Sequence, residues 1–91
     1  MLTGRRTVNT SAVQIFSSTA DRAKTGLQIY ASSANTGTVY VGESTVTANS
    51  SDSTDGYPLT PGKELLIPLV NPNPIYAVAS ASGQTIWFIN I

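Results

Sequence analysis

The sequence contains no cysteine and no histidine. Without cysteine there is no disulfide framework, no thiolate nucleophile and no thiolate-ligated zinc site. Without histidine the commonest general base and the commonest neutral metal ligand are both missing. Charge is scarce as well: charged residues make up 11% of the chain, against about 25% in an ordinary globular protein. Five Lys and Arg balance five Asp and Glu, a formal net charge of zero. A dedicated nucleic-acid binder carries a strong basic excess, so that class is excluded. Apolar stretches are only a few residues long, which excludes a membrane-spanning helix. The leading residues Met1-Leu2-Thr3-Gly4-Arg5-Arg6 are basic with no apolar run behind them. They do not read as a secretory signal, and synthesis in the cytosol is expected.

What is present is a chain of 91 residues, one quarter of it Ser and Thr, with 41% hydrophobic residues. That length makes one domain with a thin core. That hydrophobicity, with so little charge, argues against disorder. The charges are unevenly placed. Residues 1–24 hold Arg5, Arg6, Arg22 and Lys24 against Asp21, while residues 25–91 hold Lys63 against Glu43, Asp52, Asp55 and Glu64. A basic leading end on a less basic body suggests an extended arm, residues 1–6, ahead of a single domain, residues 7–91. Arg5 and Arg6 are expected to meet acidic groups of a neighbouring chain.

No segment shows sustained helical spacing. Short runs rich in Val, Ile, Thr and Tyr are bounded by Gly, Pro, Asn and Ser, which is the signature of strands. Seven are expected: Val8 to Ser17, Gly26 to Ser32, Gly37 to Val41, Ser44 to Ala48, Glu64 to Val70, Ile75 to Ser80 and Thr85 to Ile91. Gly42 at a central turn position suits a type II′ hairpin between the third and fourth. Asn35 and Gly37 suit a loop with left-handed backbone, and Asn71-Pro72-Asn73-Pro74 suits a stiff link. Asn49 to Asp55 is a long polar loop. Pro68 removes a ladder donor and places its strand at an edge or bulge. The fold expected is all-β, a small antiparallel sandwich or barrel of about seven strands.

Period-two alternation divides each strand between two faces. Two of the later strands are apolar on both. Leu65, Ile67 and Leu69 oppose Leu66 and Val70; Ile86 and Phe88 oppose Trp87, Ile89 and Ile91. One face can pack inside the domain. The other needs a second cover, so Leu66, Val70, Trp87, Ile89 and Ile91 are expected, with Arg5 and Arg6, at a contact with another copy.

The search for chemistry is short. Asp52 and Asp55 share a polar loop in which nothing would desolvate them or fix their separation. The serines lack a base. The Asn49 to Gly56 stretch offers oxygen ligands but not the carboxylate number or terminal Glu of a calcium loop, and reads as a solvated acidic turn. No catalytic residue, cofactor or metal site is expected. Tyr30, Tyr40, Tyr57, Tyr76 and Trp87 could stack on a sugar or base; on sheet faces they could equally be cross-strand partners or line an interface.

Several segments together resemble small tailed-phage virion proteins. They are Asn35-Thr36-Gly37-Thr38-Val39-Tyr40-Val41-Gly42-Glu43-Ser44-Thr45-Val46, then Gly56-Tyr57-Pro58-Leu59 and Pro61-Gly62-Lys63-Glu64, and finally Ile75-Tyr76-Ala77-Val78 and Ile86-Trp87-Phe88. The similarity spans about residues 12–91. It implies a β-sandwich structural module of the phage particle, a head decoration (cement) protein or the base of a head fibre. It further implies a homo-oligomer, a trimer, bound to the major capsid protein in the virion, with no catalytic residues to carry over. The alternative is a receptor- or carbohydrate-binding β-module of a tail or fibre.

Overall fold

A computed structural model describes residues 3–15, 26–48, 56–68 and 75–90. Among them the protein is all-β, with eight strands and no helix: β1 (Thr3–Val8), β2 (Val13–Gln14), β3 (Leu27–Ala31), β4 (Val39–Gly42), β5 (Tyr57–Leu59), β6 (Glu64–Ile67), β7 (Tyr76–Ala79) and β8 (Gln84–Asn90). They form two antiparallel four-stranded sheets, ordered β1-β8-β3-β6 and β2-β7-β4-β5.

The sandwich follows from alternation. In β8, Gln84, Ile86, Phe88 and Asn90 are buried, while Thr85, Trp87 and Ile89 face out. In β3, Leu27, Ile29 and Ala31 are buried and Tyr30 is exposed. The second sheet answers with Val39, Val41, Leu59, Ala77 and Ala79, and Ile15 completes the layer between the sheets. Each fully buried Val, Leu, Ile or Phe contributes roughly 1.5–3 kcal/mol. β8 lies between β1 and β3, so both its edges are hydrogen-bonded. The longest strand among the described residues therefore sits inside its sheet.

Several expectations hold. β6 is an edge strand and ends at Ile67, just before Pro68. Thr60-Pro61-Gly62-Lys63 is a turn closed by Lys63 N–H to Thr60 C=O at 3.0 Å. Gly62 has φ 83° there, the value a type II turn needs after a proline. This turn carries the chain from the second sheet to the first.

Others are corrected. Residues 3–6 of the expected arm are not separate from the domain: Thr3–Val8 is a strand of the chain's own first sheet, paired with β8 from Thr3↔Ile89 to Val8↔Gln84. The expected first strand is broken. The chain leaves β1 at Asn9, whose C=O accepts Ala79 N–H and whose Oδ1 accepts Gly83 N–H, and re-enters the other sheet at Val13. The expected strand Ser44 to Ala48 shrinks to a turn at Ser44–Thr45 and an isolated bridge at Thr47, whose C=O accepts Gly56 N–H at 3.3 Å. Val46 N–H closes on Glu43 C=O, and the Val46 side chain is buried near Gly42 and Gly56. Gly42 lies inside β4 with negative φ, so the type II′ hairpin is absent. Asn35 is not left-handed either. Its amide is used instead as a strand mimic, donating to Thr85 C=O and accepting from Thr85 N–H. β5 was not expected, because Pro58 breaks its ladder; its place at an edge makes that proline tolerable. The Asn49–Asp55 loop, the Asn71–Pro74 link, Leu69, Val70 and Ile91 lie outside the described residues.

Candidate functional site

The outer face of the first sheet collects most of the expected contact residues. Alternation sends Thr3 and Arg5 of β1, Trp87 and Ile89 of β8, Gln28 and Tyr30 of β3, and Glu64 and Leu66 of β6 to this side. Register then sets them in two rows across all four strands. One row is Thr3–Ile89–Gln28–Leu66, the other Arg5–Trp87–Tyr30–Glu64.

Each row has a distinct chemistry. In the second, the Arg5 guanidinium lies 5.5 Å from the centre of the Trp87 ring, within the range of a cation–π contact. Trp87 and Tyr30 are direct cross-strand partners, the arrangement in which aromatic pairs stabilise a sheet face. Trp87 is 45% exposed, Leu66 53% and Tyr30 37%. Gln28 Nε2 donates to Glu64 Oε2 at 3.4 Å, tying the rows together diagonally. A shallow concavity of about 700 Å³ lies over the Ile89 row, bounded by Arg5, Trp87, Tyr30, Gln28 and Thr3.

Of the expected contact residues, Arg5, Leu66, Trp87 and Ile89 share this face. Val70 and Ile91 lie outside the described residues. Arg6 is turned to the other side of β1. Half-buried, it donates from Nε and Nη2 to Ile15 C=O at 3.2 and 3.0 Å. Its expected role against a neighbour's carboxylate is therefore corrected: it clamps the chain end of β2 to the sandwich. Gln28, Tyr30 and Glu64 join the face through strand order. β3 comes to lie beside β8, and β6 beside β3, pairings that no local pattern announces.

The aromatics do not form one platform. Tyr40 and Tyr76 belong to the second sheet, where they pair with Val78 and with Gly42. Tyr57 stands at the β5 edge, opposite Val41. Among the described residues no three acidic side chains gather into a metal-binding group, and the two described carboxylates, Glu43 and Glu64, are both exposed. Asp21, Asp52 and Asp55 lie outside those residues. Among the described residues no helix is long and apolar enough to cross a membrane. Comparison with protein-family models, with curated proteins and with solved structures finds no match.

Proposed function

We propose that the chain is a structural protein of a phage particle: a head decoration protein that attaches to the assembled shell, associates with its own copies and carries out no catalysis. It is made in the host cytoplasm and ends in the virion, with the major capsid protein as its partner. The observation that carries this reading is the outer face of the first sheet. Trp87, Tyr30, Leu66 and Ile89 form an apolar centre there that a soluble monomer has no reason to keep. The likeness of residues 12–91 to small virion proteins supplies the setting. Low charge supports the same reading, because it limits repulsion between many copies packed side by side.

A sedimentation assay with preformed shells of a candidate major capsid protein from the same genome tests it. The wild-type protein should travel with the shells. Trp87→Asp should still fold, with its melting temperature lowered by up to about 16 °C because the Arg5 cation–π contact and the Tyr30 pair are each worth about 0.5–1 kcal/mol, yet lose shell binding. Wild-type protein that stays in the supernatant would overturn the proposal.

A second reading rests on one feature, the adjacent Tyr30 and Trp87 rings beside Gln28 and Arg5. Sugar rings stack on such rings while amide and guanidinium groups hold their hydroxyls. Binding on a glycan array, lost in Tyr30→Ala, would favour a carbohydrate-binding module of a tail or fibre.

A further inference from the structure

We propose that two copies of this chain pair face to face through the outer surface of the first sheet, about a two-fold axis parallel to its strands. The inference rests on reading that face as an association surface; it gives the face to a second copy, so shell contact falls to other surfaces of the paired chains and Trp87→Asp reduces shell binding through loss of pairing.

The pattern of charge selects the occupant. Arg5↔Trp87, Trp87↔Tyr30 and Tyr30↔Glu64 are successive register partners. The row thus has a positive end, an aromatic centre and a negative end, spread over four strands. A two-fold axis along the strands lays this row on its own reverse. Arg5 of each copy then meets Glu64 of the other, and the Trp87–Tyr30 pair meets Tyr30–Trp87. An axis across the strands would instead set Arg5 on Arg5 and Glu64 on Glu64, which like charges oppose. The surface is thus self-complementary in one orientation, as a two-fold contact requires.

The side chains suit the contact. Packed sheets lie about 10 Å apart, and Arg and Glu are the long members of the row. A guanidinium can keep its flat face on an indole while its N–H edge meets a carboxylate. Glu64 accepts one hydrogen bond from Gln28, and a carboxylate has further lone pairs to offer. The neighbouring row adds Ile89 and Leu66 without adding charge. The two rows supply eight residues, whereas a standard interface uses about 20–30 a side. The pair is therefore weak in free solution, and it gains strength where a particle surface holds copies at high local concentration. A two-fold pair replaces, on this face, the threefold number that the family likeness implies.

The test is sedimentation equilibrium of the purified full chain up to high micromolar concentration. Wild type should pair reversibly. Arg5→Glu gives a row negative at both ends and Glu64→Lys a row positive at both ends. Each change acts twice in a symmetric pair, so each should weaken self-association at least about tenfold. The double variant Arg5→Glu/Glu64→Lys should restore it, and mixing the two single variants should give a mixed pair at least as tight as wild type. Both positions are exposed, so melting temperatures should stay near wild type. If a swap unfolds the chain, Arg5→Gln and Glu64→Gln, which only delete charge, should each weaken pairing several-fold. A wild-type monomer at every concentration, a trimer mass, single variants that pair like wild type, or single variants that ignore each other would each overturn the proposal. Monomers that still bind shells would refute the pairing and leave the decoration reading intact; pairs that ignore shells would do the reverse.

Discussion

Replacing Gln84 by leucine should cost the fold about 3 kcal/mol, although the two side chains are similar in size. Gln84 is 1% exposed and sits at the inward-facing start of β8. Its Oε1 accepts the backbone N–H groups of Thr36 and Gly37, both at 2.9 Å. Its Nε2 donates to Ser82 C=O at 2.9 Å and to Thr36 Oγ1 at 3.2 Å. One amide therefore fastens the β3–β4 loop to the β7–β8 loop. Leucine fills the same space and opens no cavity, so the loss is polar. Four bonds at a net value near 1 kcal/mol each give about 4 kcal/mol. Thr36 and Ser82 are exposed, so water recovers part, which leaves about 3. A domain of this size has about 5–13 kcal/mol in all, and each kcal/mol shifts its melting point by about 4–8 °C. Thermal unfolding followed by circular dichroism should show a fall of about 12–24 °C. Gln28→Leu, on the outer face of the same sheet, should move it by less than about 4 °C. A Gln84→Leu variant that melts within about 4 °C of wild type would refute the reasoning, since the loops would then be held without the amide.

Gly26→Ala should destabilise by about 2 kcal/mol in chemical denaturation, because the new methyl would lie 2.6 Å from Ile67 C=O and 3.2 Å from Pro68 Cα, backbone that cannot yield; an unchanged midpoint would show that the β3–β6 edge can open there. Deleting residues 1–6 should leave a chain that fails to fold or melts more than about 10 °C lower, because four of the six β1–β8 pairs and the Arg6 clamp on Ile15 go with it; a truncated protein of normal stability would return those residues to the status of a free arm. Excess chelator should leave the melting temperature unchanged, and a fall of many degrees would identify a bound cation, with Asp52 and Asp55 the first residues to substitute.

Much of the architecture was legible because it is local. Alternation in Leu27–Ala31 and Gln84–Asn90 assigns each side chain to a face with no knowledge of the neighbouring strand, and Leu66, Trp87 and Ile89 turn outward as that period requires. Pro68 set a limit on β6 for a reason carried by one residue, its missing N–H. The errors lie where local composition is ambiguous. Ser44–Ala48 has strand-like residues, yet Val46 is buried by folding back over two glycines rather than by pairing. Tyr57–Leu59 has turn-like residues, yet it pairs because β4 offers an edge that needs no donor from Pro58.

The amino-acid sequence by itself determined that the chain is all-β, that it lacks thiol and imidazole chemistry, and that its later strands are apolar on two sides. Only the tertiary structure decided which strands are neighbours. β8 lies between β1, the first strand, and β3, and β3 pairs in turn with β6. That order turns Arg5 from the tip of an arm into the end of a row, brings Tyr30 and Glu64 to Trp87, and sends Arg6 inward to Ile15. The physical reason is that a side chain's face is fixed by the backbone's period of two, whereas register and strand order are fixed by which apolar faces can be buried together. That is a property of the whole chain, and no window of it contains the answer.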